Sequence, residues 1–153
     1  MNIADHLDRF DEREQRQKED REKALRDEEQ RKRLNLERVS QNLSKVVEPK
    51  LVEAAHVIKS KKHYAAVEIA RSTDGSVVYS IILKTSRFQD ASESSMFKLE
   101  YRGEENSAII KAHIRIPDAS GSPFIDLGTF ELDAITPEDV EGHLGTLVKK
   151  AFP

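Results

Sequence analysis

Between Asp11 and Arg33 the chain reads DEREQRQKEDREKALRDEEQRKR, in which Ala24 and Leu25 are the only apolar residues. Such a segment has no face to bury, so it either stays disordered or forms a helix held by its own side chains. The order of the charges selects the helix. An acid stands four residues before a base in Glu12 and Arg16, Glu14 and Lys18, Glu19 and Lys23, Glu22 and Arg26, Asp27 and Arg31, Glu28 and Lys32, and Glu29 and Arg33. Each pair adds roughly 0.2 to 0.5 kcal/mol to an isolated helix, about 2 to 3 kcal/mol together, which tips good helix formers without anchoring them to anything. Residues 1–35 therefore read as a charged helical arm that projects from a globular domain at 36–153.

The arm begins with a short stripe. Ile3, Leu7 and Phe10 are spaced four and three apart and share one helical face, a surface suited to a partner helix, a second copy or a fold-back contact. Past the charged run, Leu36, Val39, Leu43 and Val46 repeat a 3-4-3 spacing, that of a coiled-coil seam or of a helix lying on a sheet. Backward in the same phase stand Lys32, Glu29, Leu25 and Glu22, so the seam does not continue through the arm. Pro49 lacks a donor and biases Glu48 away from helical angles, which predicts a break and a second helix starting at the proline. Leu51, Val52, Ala55 and Ile58 carry that helix to about Ser60.

From Tyr64 the apolar period falls to two, and five strands of a meander follow. Ala65, Val67 and Ile69 alternate, and Asp74 and Gly75 supply the positive φ angles of a tight turn into Val77, Tyr79, Ile81 and Leu83. Phe97, Leu99 and Tyr101 mark a third strand. Gly103 to Asn106 make a turn, and Ala108, Ile110, Ala112, Ile114 and Ile116 form a fourth strand. Pro117 to Pro123 read as an exposed loop, and Phe124 to Leu132 as a fifth strand with a bulge at Gly128. Thr136, Pro137, Glu138 and Asp139 open a last helix, with a hydroxyl cap, a proline in the first turn and acids at the positive end of the dipole. Its apolar face is Val140, Leu144, Leu147, Val148 and Ala151. The expected fold is α+β: a long charged N-terminal helix, an antiparallel sheet of about five strands packed against helices, and a C-terminal helix.

Composition narrows the function. A chain of 153 residues with a net charge of −3 holds one packed core, and residues 1 to 60 carry fourteen acids and fourteen bases, so neither part is a polyelectrolyte. A pI near 6.0 argues against nucleic-acid binding through bulk charge. The absence of cysteine fits a reducing compartment, and MNIADHLDRF lacks the basic and apolar regions of a secretory signal, so a cytoplasmic location is expected. No apolar run approaches a membrane span. The five histidines make no His-x-x-x-His or His-Glu-x-x-His pair, and no phosphate-binding glycine loop or nucleophile elbow is present, so no cofactor, metal or catalytic residue is assigned. The acid pairs Glu104-Glu105 and Glu138-Asp139 fall in a turn and a helix start.

Two surfaces remain. The leading expectation is a non-enzymatic interaction or assembly protein, self-associating or holding a protein partner, through Ile3, Leu7 and Phe10 at the tip of the arm and Leu36, Val39 and Leu43 at its base. The alternative is a nucleic-acid-binding accessory protein using the outward sheet face. There Lys98, Arg102, Lys111 and Arg115 gather with Lys84 and His113, diluted by Glu68 and Glu100. Lys59, Lys61, Lys62 and His63 sit where a helix dipole favours cations in any case.

Overall fold

In a computed structural model that describes residues 2–84, 96–117, 124–131 and 133–153, the charged run is helical. It belongs to α1, Ile3–Asn42, a helix of 40 residues. The chain divides into two compact units, Met1–Leu34 and Asn35–Pro153. In the first, every described residue is exposed except the partly covered Lys32. Of the seven acid–base pairs at helical spacing, Glu28 and Lys32 are in contact, at 3.8 Å, with Gln15 donating to Glu19 Oε1 at 3.2 Å. The other pairs are not closed into fixed contacts, as expected where holding two long exposed side chains costs entropy comparable to the gain.

The second unit contains the last part of α1, a π-helical turn at Leu43–Val47, α2 at Glu48–Ser60, the strands β1 (Tyr64–Arg71), β2 (Ser76–Lys84), β3 (Phe97–Glu104), β4 (Ser107–Arg115) and β5 (Phe124–Glu131), and α3 at Pro137–Ala151. The sheet is an antiparallel meander in the order β1-β2-β3-β4-β5. This is the α+β arrangement expected from the change of apolar period. Leu132 and residues 118–123 of the expected loop lie outside the described residues.

Pro49 does not break the helix. Glu48 keeps helical angles (φ −54°, ψ −48°) and its N–H donates to the Leu43 carbonyl, five residues back. A proline ring in a regular α-helix meets the carbonyl four residues earlier, and the wider π turn relieves that conflict. The same turn keeps the buried stripe on the sheet. Val39, Leu43, Val47, Leu51 and Ala55 are buried at steps of four, and each such step over-rotates an α-helix by about 40°. A turn that takes up residues with less rotation apiece cancels part of that drift. Val47 is consequently fully buried, and Val46, the expected stripe residue, only partly.

The inner face of the sheet carries Val77, Tyr79, Ile81, Leu83, Phe97, Leu99, Tyr101, Ile110, Ala112 and Ile114, all buried. It is covered by α2 over β1 and β2 and by α3 over β3. Val39 reaches β3 at Gly103, where its Cγ1 occupies the space a Cβ would need. Gly103 is therefore a point of close helix–strand approach within β3 rather than part of the turn, which is confined to Glu105 and Asn106. The β1–β2 connection is a four-residue loop: Gly75 alone has positive φ (81°), and Asp74 instead accepts from the Ser76 N–H and hydroxyl at 3.1 and 2.7 Å. Gly128 does sit at a bulge (φ 114°), beside the register shift between Ala112 and His113. Thr136 caps α3 in a reciprocal box with Asp139.

Candidate functional site

The apolar tip lies in the first unit. Ile3, Leu7 and Phe10 keep 74%, 54% and 49% of their surface in contact with solvent. Five acids (Asp5, Asp8, Asp11, Glu12, Glu14) against Arg9 and Arg13 make this end of the helix acidic. The residues proposed at the base of the arm are placed differently. Val39 and Leu43 are completely buried in the core of the second unit and Leu36 packs on its margin. Their spacing belongs to a helix on a sheet, so a second chain could reach them only by opening the core. Tip and base are thus not equivalent halves of one exposed seam.

The outward sheet face does bring the expected cations together. Lys98 lies opposite Arg115, Glu100 opposite His113, and Arg102 opposite Lys111. Acids interrupt them. Glu100 accepts from His113 Nε2 at 2.7 Å and pairs with Lys98 Nζ at 2.8 Å. These contacts, the His113 hydrogen bond foremost, hold its carboxyl down at about 2 in spite of its partial burial. Arg102 pairs with Asp74 at 3.2 Å and Glu104 at 3.6 Å and also donates to Ser76 Oγ at 3.2 Å. Among the described residues, Lys111 and Arg115 form no ion pair. Two of the four proposed phosphate contacts are therefore committed within the sheet.

A buried polar pair joins α3 to the sheet. The Tyr101 hydroxyl lies 2.7 Å from His143 Nδ1, beneath a half-buried imidazole that also faces the Phe130 ring at 5.6 Å. Burial pushes the phenol far above its usual range and pulls the imidazole below its own, with Asp139 opposing the latter weakly. Both shifts favour the uncharged forms, and the two groups share one hydrogen bond whose direction follows the imidazole tautomer. With Tyr101 wholly buried, its hydroxyl is closed to solvent, and the contact with His143 satisfies two polar groups. Among the described residues no three His, Cys, Asp or Glu side chains are arranged to hold a metal, and no helix is long and apolar enough to cross a membrane.

One feature of the second unit escaped the sequence reading. The helices α2 and α3 run side by side in the same direction, with Lys50 Nζ bound to Glu141 Oε1 at 2.6 Å near their starts and the His63 and Phe152 rings 4.6 Å apart beyond their ends. Between them is a groove of about 300 Å³ floored by Ala54, Val57, Ile58, Leu144 and Val148. Val57 remains 53% exposed on its lip. At the far end, where the His63 and Phe152 rings meet, Lys59, Lys61 and Lys62 precede one ring in the chain and Lys149 and Lys150 precede the other, and no ion pair involves these lysines among the described residues. The available signal was Val57, an apolar residue out of phase with the buried stripe of α2. The convergence itself joins segments nearly ninety residues apart.

Comparison with known proteins returns nothing. No protein-family model, curated protein or solved structure matches the chain.

Proposed function

We propose that this chain is a non-enzymatic interaction or assembly protein that self-associates through the apolar tip of its charged helix. The observation that carries the reading is the exposure of Ile3, Leu7 and Phe10 on one stripe of an otherwise polar helix. Large apolar side chains grouped in this way gain free energy when another apolar surface removes them from water. The charged run from Asp11 to Arg33 then acts as a spacer, with a coiled-coil contact restricted to the tip because apolar heptads do not extend along it. A non-enzymatic role is supported by the engagement of the distinctive polar groups, Tyr101 with His143 and Glu100 with His113 and Lys98, in contacts of the fold itself. A cytoplasmic setting fits a cysteine-free chain.

The nucleic-acid reading now rests on Lys111 and Arg115, since Lys98 and Arg102 would have to exchange carboxylates for phosphates. Size-exclusion chromatography with light scattering separates the two. The full chain is expected at a multiple of its 17.4 kDa mass, free of absorbance at 260 nm in excess of its tyrosines, with association persisting at high salt. The variant carrying Ile3→Glu, Leu7→Glu and Phe10→Glu is expected to be monomeric with an unchanged fold, because all three positions are exposed. A monomeric wild-type chain would overturn the proposal. Co-purifying nucleic acid released steeply by salt would replace it with the alternative.

A further inference from the structure

We infer that the groove between α2 and α3 is the seat of the Ile3–Phe10 stripe of a second copy of this chain, an inference that rests on the self-association proposed above.

Three properties of groove and stripe correspond. The first is length. From Lys50 to Ile58 the groove follows eight residues of α2, about 12 Å of helix, and Ile3 to Phe10 span seven residues, about 10 Å. Anchors at i, i+4 and i+7 on one helix are the pattern that a groove between two helices accepts. The second is polarity. The groove floor is Ala54, Val57, Ile58, Leu144 and Val148, and its charged rim is confined to Lys50, Glu53 and Glu141. Lys50 there is already paired, 2.6 Å from Glu141 and 3.8 Å from Glu53, so an apolar helix entering the groove strands no unpaired cation.

The third is charge. Lys59, Lys61 and Lys62 follow Ile58 in the chain and Lys149 and Lys150 follow Val148, on either side of the His63–Phe152 contact, and no ion pair involves them among the described residues. The tip helix carries Asp5, Asp8, Asp11, Glu12 and Glu14 against two arginines. Seating Phe10 at the lysine end brings Asp11, Glu12 and Glu14 to those lysines, and Ile3 to the Lys50 end. Complementary charge of this kind orients an incoming helix and accelerates its capture, while the apolar contact holds it.

The absence of cysteine makes the test direct, because a single introduced thiol has no competitor. Leu7→Cys and Val57→Cys are prepared as separate full-length proteins, each altered at an exposed position, mixed, and oxidised; Leu25→Cys with Val57→Cys serves as control. One thiol per chain means every disulfide joins two copies, and peptide mass spectrometry identifies which residues are linked. The 7–57 linkage is expected to form in several-fold excess over the 25–57 linkage. In parallel, Val57→Glu is expected to weaken self-association of the full chain by about tenfold or more while leaving its tyrosine signal unchanged. If Val57→Glu associates like wild type and no 7–57 linkage forms, while the triple tip variant is monomeric, the groove is not the seat and self-association stands. If the wild type is itself a monomer up to about 0.2 mM, self-association fails and this inference with it.

Discussion

His143 shows how a single residue can make stability depend on pH. Its imidazole is held below the ordinary value of 6.5 chiefly by burial, and its Nδ1 lies 2.7 Å from the Tyr101 hydroxyl. A protonated ring must carry a charge against Phe130 and the core. The unfolded chain takes up the proton first, so the contribution is complete above about pH 6.5 and declines as pH falls toward the lower folded value. Urea denaturation at closely spaced pH values between about 7 and 5 is expected to show the midpoint falling in wild type and flattening in His143→Phe. An identical slope in both proteins would remove His143 as the cause. Glu100 acts in a separate and lower window. Its carboxyl, held at about 2 by His113 and Lys98, stabilises the fold above the ordinary 4.5 and loses that contribution as pH drops from there toward 2.

At the scale of elements, the decisive local feature is the π turn before Pro49. It makes Val47 and not Val46 the core residue, which is a quantitative expectation: Val47→Ala should cost roughly 2 kcal/mol through lost burial and a cavity, and Val46→Ala well under half of that. Chemical denaturation of the two variants checks it, and equal losses would mean that the helix keeps a regular α phase here. The case also marks where sequence reasoning stops. The strands were legible because alternation of apolar residues reports a half-buried sheet directly, and Thr136 with Asp139 was legible because capping is local. The proline was misread because its rule assumes α geometry, and one i→i+5 turn removes the conflict. Gly103 looked like a turn residue, and only the approach of Val39 from an element more than sixty positions away explains it. The apolar residues of α2 and α3 were each visible, whereas the groove between them depends on how those two helices pack.

For the whole molecule, the two units differ in what holds them. Asn35–Pro153 has a continuous apolar core, and Met1–Leu34 has a helix with exposed side chains and one closed ion pair among its described residues. A core unfolds cooperatively, but a solvated helix frays progressively over a broad range of temperature. The tyrosines distinguish the two processes. Tyr64, Tyr79 and Tyr101 all belong to the second unit and there is no tryptophan, so tyrosine fluorescence reports that unit alone, whereas the far-ultraviolet circular dichroism of helices sums both. Heating dilute protein is therefore expected to lower the helical signal gradually before the tyrosine transition begins. Raising salt to about 1 M, where the screening length shrinks to about 3 Å, should enlarge the early loss because the acid–base spacing of the charged run stabilises only while those charges sense each other. The tyrosine midpoint should move little in comparison, since its unit is held mainly by burial. Coincident transitions with no salt-sensitive early phase would mean that the charged helix is stabilised by packing rather than by its own sequence. If the chain self-associates as proposed, higher protein concentration delays fraying from the Ile3–Phe10 end, and the triple glutamate variant of that stripe abolishes the delay.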